Sequence, residues 1–218
     1  MLTEKKIRLI DIFQSHKGLV TEKFPHHLEI YEWFFDKFRG KNIGIFEIGI
    51  REGGSLQLWR KYFGPEARIY GLDIQDKAAL TEKTDSAIFV GDQSNTIFMQ
   101  DLAQKIKPVH IVIDDGSHKV NDQRLSFECI FPVLENGGIY IIEDIHTSYR
   151  EEYGGGYKNY RSFVEYLKTM IDGIHSSEFP GVIPVIFNEI FAVHFYPSLA
   201  VIEKRGPWTW GGPTMRPA

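Results

Sequence analysis

The sequence predicts an α/β domain: a mostly parallel sheet with a C-terminal antiparallel hairpin, flanked by helices. Three observations predict it. From residue 42 onward, short runs of β-forming residues alternate with helical stretches, the pattern of right-handed β–α–β crossovers. The run Val109–Asp114 is nearly continuous in β-formers and ends in a turn, as a strand buried on both faces does. The last two runs, Phe187–Tyr196 and Leu199–Lys204, meet at Tyr196-Pro-Ser198 and read as a hairpin.

The elements follow in order. Residues 4–14 place Ile7, Ile10 and Phe13 on one side of a short amphipathic helix. A second helix starts near Pro25, a favoured first-turn residue, with Leu28, Tyr31, Phe34, Phe35 and Phe38 on one face. Strands are expected at Ile43–Ile48, Arg68–Asp73, Ala87–Val90, Val109–Asp114 and Gly138–Glu143. Helices fall between them at Leu56–Phe63, near 76–82, at Asn95–Ile106 and at Val120–Leu134. A loop with Gly154-Gly-Gly156 leads into a further helix whose apolar face holds Phe163, Leu167, Met170 and Ile174. The segment 206–218, rich in glycine and proline, reads as an irregular tail.

A chain of 218 residues makes one large domain with room for a core. Its net charge of −4 argues against a nucleic-acid partner, which would need a basic stripe. No apolar run nears the roughly 18 residues of a membrane span. The first residues show no leader pattern, so a cytoplasmic setting is expected. The single Cys129 sits among Leu125, Phe127, Ile130 and Phe131 and reads as a structural thiol.

The strand ends carry the chemistry, because ligands of open α/β sheets bind there. The first strand runs into Glu47-Ile-Gly49 and then Gly53-Gly54-Ser55. These glycines let the backbone turn sharply and a ligand come close. Arg51 stands where a dinucleotide fingerprint has its second glycine, and Glu47 would repel a pyrophosphate but attract an ammonium group. Strand two ends at Asp73, placed to hold a ribose diol; strand three ends at Asp92-Gln93, an acid and an amide suited to an aminopurine edge. Amine, ribose and adenine together describe S-adenosylmethionine. A nicotinamide dinucleotide rests on Asp73 alone.

Strand four ends Asp114-Asp115-Gly-Ser-His118, and strand five ends Glu143-Asp144-Ile-His146. Neighbouring strands lie about 5 Å apart, so Asp115, Glu143 and Asp144 can converge. Clustered carboxylates need a cation, and oxygen-only ligation favours Mg²⁺, Mn²⁺ or Ca²⁺ over zinc. The bland reading has Asp114 and Asp115 capping a helix and Glu143-Asp144 in a solvated turn. His118, with an ordinary pKa near 6.5, can act as general base, and His146 is its rival. An iron site of two histidines and one carboxylate would use His118, His146 and Asp115. It would leave Glu143 and Asp144 without a task.

These motifs, with Thr147-Ser-Tyr149 and Tyr153-Gly-Gly-Gly156, resemble the class I S-adenosylmethionine-dependent methyltransferases, which have a Rossmann-like fold. The resemblance is narrower still to the metal-dependent sugar O-methyltransferases that tailor macrolides and other glycosylated natural products. It covers most of residues 15–204. It implies a metal held by Asp115, Glu143 and Asp144, with His118 as base. Donor contacts are implied from Glu47 through Ser55, at Asp73 and at Asp92-Gln93; Asp114 is left to the strand end, the helix cap or the donor's edge. It further implies a helical cap at 1–40, a methyltransferase domain at 41–205, and an acceptor lid at 147–158. The acceptor would be a hydroxyl of a small glycoside or polyol, and a homo-oligomer is expected. Catechol-type phenolic O-methyltransferases are the nearest alternative; they usually carry Asp-Asn at Glu143-Asp144 and a lysine near His118. A hydroxylase or oxidoreductase on the same scaffold is the other, since cephalosporin hydroxylase-like proteins share the motifs.

Overall fold

The computed structural model describes residues 6–175, 178, 181, 182 and 184–205. Its centre is a seven-stranded sheet ordered β3-β2-β1-β4-β5-β7-β6. The strands are β1 (Gly44–Ile48), β2 (Arg68–Asp73), β3 (Ala87–Val90), β4 (Val109–Asp114), β5 (Leu134–Glu143), β6 (Ile190–Tyr196) and β7 (Leu199–Lys204). The first five are parallel; β7 runs antiparallel to β5, and β6 antiparallel to β7. The predicted mixed sheet with its terminal hairpin is therefore the observed one.

Helices α1 (Leu9–Gln14), α2 (Pro25–Phe35), α3 (Gly54–Phe63), α4 (Thr81–Thr84), α5 (Thr96–Lys105), α6 (Val120–Ile130) and α7 (Phe163–Ile174) complete the layers. Several boundaries differ from expectation: β5 starts at Leu134, four residues before Gly138, and others shift by one or two residues. Helix α1 begins only at Leu9, because Arg8 before it is extended. Helix α6 stops at Ile130, where Pro132 turns the chain into a short 3-10 segment. The stretch Val185–Glu189 is also 3-10, so β6 starts later than the run of β-formers suggests. The predicted tail at 206–218 lies outside the described residues.

The pleat of the sheet decides where the acids go, since alternate side chains face opposite layers. Phe46, Ile48, Val112, Tyr140 and Ile142 share one core with α5, α6 and α7. Ile45, Ile111, Ile113, Ile139 and Ile141 share the other with α1, α2 and α3. Two-residue spacing therefore sends Glu47 and Glu143 toward the N-terminal helices. Asp114 follows Val112 to the opposite layer. Helix α2 lines its side with Leu28, Tyr31 and Phe35, and Tyr31 and Phe35 pack on Trp59 of α3 at ring distances of 5.7 and 5.8 Å.

Candidate active site

An open cleft of about 1010 Å³ lies over the carboxyl ends of β1 to β5. That exceeds the upper end of ordinary ligand pockets, roughly 1,000 Å³, so it has room for a donor and an acceptor together. Glu47, Gly49, Ser55, Asp73, Asp92, Gln93, Asp115, His118, Glu143 and Asp144 all line it. Gly53, Gly54, Asp114 and His146 are not among its walls.

The donor side is built from the glycine turn. Gly49 has φ +83°, and a Cβ there would come within 2.2 Å of the Asp115 carbonyl. Only glycine lets β1 and β4 approach so closely. Glu47 is buried; its Oε2 accepts from Ser55 Oγ at 2.7 Å and from Trp59 Nε1 at 2.9 Å. Its Oε1 has no hydrogen-bond partner among the described residues. Asp73 accepts from the Arg51 and Gln75 backbone N–H groups at 3.0 and 2.9 Å, which fixes it at the rim. Asp92 is exposed and accepts from the Ser94 backbone N–H at 2.8 Å, which holds its pKa below the usual carboxylate value.

Gln93 is used up internally. Its Oε1 accepts from the Ser117 N–H at 2.7 Å, and its Nε2 donates to Ser126 Oγ at 3.1 Å and Asp114 Oδ1 at 3.4 Å. It ties the loop after β3 to the loop after β4. Asp114 is wholly buried on that same layer, and burial pushes its pKa up to about 7 against the Gly116 and Gln93 contacts.

On the other side, one ligand atom each from Asp115, His118 and Asp144 lie within 4.8 Å of one another. His118 and Asp144 both adopt left-handed backbone, at φ 59° and 54°, although neither is glycine. Such strain persists only where surrounding contacts enforce it. Here Thr147 Oγ1 does so, donating to the His118 carbonyl at 3.1 Å and to the Asp144 carbonyl at 2.8 Å. His118 Nε2 then faces Asp144 Oδ2 at 3.5 Å. Burial lowers the His118 pKa despite the nearby Asp144 carboxylate, so the ring is neutral at physiological pH. His146 stays out of the group. Its Nδ1 pairs with Ser198 Oγ at 2.7 Å, and that hydroxyl donates to Asp144 Oδ1 at 3.1 Å.

Glu143 is held from behind. Lys23 Nζ donates to its Oε1 at 2.5 Å, the Tyr31 hydroxyl donates to the same oxygen, and His27 Nδ1 meets its Oε2 at 3.2 Å. Burial alone would raise the Glu143 pKa; the Lys23 ammonium and these hydrogen bonds overturn that and hold it at about 2. Lys23 also donates to Asp115 Oδ2 at 2.7 Å and lies 3.3 Å from Glu47 Oε1. Burial opposes charge on Lys23, but the three carboxylates outweigh it and lift its pKa well above the ordinary value. One ammonium cannot balance three acids. The deficit falls on Asp115, which burial and the Glu143 charge push up to about 8 even against the pull of Lys23. A donor set of carboxylates and one imidazole, short of positive charge, suits a divalent cation.

Linear reading missed Lys23 and His27 and placed Tyr31 only on the apolar face of the second helix. One signal was present. His27 and Tyr31 are four apart on one face of α2, which puts polar groups among buried ones, and Lys23 lies two residues before that helix.

No family model matches the chain. Individual relatives do. It is 37% identical over 194 residues to an 8-demethyl-8-alpha-L-rhamnosyl tetracenomycin-C 2'-O-methyltransferase of Streptomyces olivaceus, covering 84% of this chain and 51% of that protein. It is 34% identical over 207 residues to the mycinamicin VI 2''-O-methyltransferase of Micromonospora griseorubida, covering 88% and 50%. The solved MycE methyltransferase from the mycinamycin biosynthetic pathway, in complex with Mg, SAH and mycinamycin VI, superposes with a TM-score of 0.85 at 31% identity, covering 98% of this chain and 57% of that one. The chain belongs to the class I S-adenosylmethionine-dependent methyltransferases. Within that family its homologues are sugar O-methyltransferases of glycosylated natural products. The chain spans about half the length of the curated relatives it matches. Among its described residues, no helix is long and apolar enough to cross a membrane.

Proposed function

We propose that the chain is an O-methyltransferase that moves the methyl group of S-adenosylmethionine to a hydroxyl of a sugar or polyol on a small glycosylated molecule, with Mg²⁺ or Mn²⁺ as metal. The observation that carries the reading is the convergence of Asp115, His118 and Asp144 at the rim of a cleft whose other wall is the glycine turn and Glu47. Asp115 and Asp144 would hold the ion, with Glu143 completing the acidic set behind them. Glu47 Oε1, a buried acceptor with no hydrogen bond among the described residues but with Lys23 Nζ 3.3 Å away, is suited to the donor's ammonium group, and Asp73 is the acid suited to its ribose. S-adenosylmethionine supplies an electrophilic sulfonium methyl, and a divalent ion supplies Lewis acidity that makes a sugar hydroxyl easier to ionise.

His118, neutral through burial, takes the acceptor's proton at Nε2 as the carbon–oxygen bond forms and the carbon–sulfur bond breaks. Asp144, 3.5 Å from that nitrogen, steadies the imidazolium that results. Gly49 and Gln93 hold the loops around the cleft in register. In this assignment, residues 41–205 carry the chemistry, the 1–40 cap supplies Lys23, His27 and Tyr31 from behind, and 147–158 is the acceptor lid. A cytoplasmic homo-oligomer is the setting we assign.

The test is transfer of labelled methyl to a panel of glycosides and phenols, with and without Mg²⁺. EDTA should abolish transfer, and His118→Ala should lower it by about 10²- to 10⁴-fold. Transfer that survives both treatments would sink the proposal. Preference for catechols over glycosides would move the acceptor class to phenols.

A further inference from the structure

Lys23 takes no part in the methyl transfer described above, yet its ammonium is the most enclosed cation in the cleft. Its side chain is 2% exposed, and it touches acids from both halves of the site: Glu47 on the donor side, Asp115 and Glu143 on the metal side. A lysine buried this deeply gives up its hydration, and only the surrounding carboxylates compensate. Two of those acids do not depend on it for their positions, whereas Asp115 Oδ2 takes its hydrogen bond from Lys23. Glu143 is also held by Tyr31 and His27, and Glu47 by Ser55 and Trp59. The contribution that Lys23 makes to all three acids is its charge.

We infer that Lys23 is a resident counter-cation of the metal site, which sets how strongly the acidic cluster holds a divalent ion. This rests on the reading that Asp115 and its neighbours take such an ion. The ammonium donates to Asp115 Oδ2 at 2.7 Å, and Asp115 is one of the residues whose ligand atoms converge. A fixed positive charge beside a doubly charged ion costs binding energy inversely with distance, and more so in a site shielded from water. An enclosed cluster of four acids, Glu47, Asp115, Glu143 and Asp144, would otherwise bind a divalent ion tightly and release it slowly. Lys23 keeps the ion exchangeable. The cation comes from the segment before α2, so the N-terminal helices tune a site whose ligands all lie on the sheet.

The test is calorimetric titration of Mn²⁺ alone into the full chain, without donor or acceptor. Lys23→Met should bind about tenfold tighter or more, while Lys23→Arg, which keeps the charge, should stay near the wild type. A merely structural lysine gives the opposite sign, because its loss would loosen the ligands and weaken binding. Equal or weaker binding by Lys23→Met overturns the inference while leaving the metal reading intact. Absence of Mn²⁺ binding in the wild type and in Lys23→Met alike overturns both. Should Lys23→Met not fold, Lys23→Gln carries the same prediction, since its amide still donates toward Asp115 and Glu143. If neither variant folds and Lys23→Arg does, the ammonium serves the fold and a tuning role is excluded.

Discussion

Asp114→Asn separates the two adjacent carboxylates of β4 by their response to pH. Asp114 is wholly buried, and burial raises its pKa from 3.8 to about 7. The native state therefore keeps its proton between those values while the unfolded chain has lost it. Stability from this group is complete below the unfolded pKa and is lost as pH rises toward the folded one. The gap between 3.8 and about 7, at about 1.4 kcal/mol for each tenfold change in proton affinity, makes the full swing about 4 kcal/mol. Asparagine is neutral throughout and keeps the acceptor for Gln93 Nε2, so it removes the swing without emptying the site. Urea unfolding followed by circular dichroism, with a chelator present, gives the difference between variant and wild type at pH 4 and pH 8. That difference should move in favour of Asn by about 4 kcal/mol across the interval, with unchanged m-values. A shift under about 1 kcal/mol would refute the reasoning. Asp114 would then ionise freely in the fold, and its separation from the cleft would not hold.

Two further perturbations test the supports of the site. Ser198→Ala removes the hydroxyl that links His146 to Asp144 Oδ1; Mn²⁺ affinity should fall about tenfold with little change in melting temperature, and unchanged affinity would show that Asp144 needs no such anchor. Gly54→Ala would place a Cβ 2.3 Å from the Leu19 carbonyl and 2.4 Å from that of Val20. Backbone atoms cannot swing aside, so the variant should lose about 1–3 kcal/mol in thermal unfolding and bind S-adenosylhomocysteine more weakly; wild-type values for both would exclude a packing role for that glycine.

The order of strands and helices was legible because it rests on local periodicity and turn residues. Arg68–Asp73, Ala87–Val90, Val109–Asp114 and Leu199–Lys204 coincide with the runs of β-formers that predict them. Misplaced boundaries have local causes too: Pro132 ends α6 early, and an extended Arg8 delays α1. Strand alternation even contains the separation of Glu47 and Glu143 from Asp114, since two-residue spacing fixes the face on which each side chain stands.

What the linear chain determined by itself is thus the α/β sheet, the glycine turn after β1, and the clustering of Asp115, His118, Glu143 and Asp144 at neighbouring strand ends. These follow from spacing within single elements and from the rule that parallel strands open their carboxyl ends on one side. Tertiary structure decided how the charges are shared. Lys23 meets Asp115 across 92 residues and Glu143 across 120, contacts that no local pattern encodes. Through them Glu143 is turned inward to a lysine, a tyrosine and a histidine, while Asp115, His118 and Asp144 are left facing the cleft. Burial and opposing charge, which exist only once the N-terminal helices have closed over the sheet, set the protonation of Asp115 and Glu143.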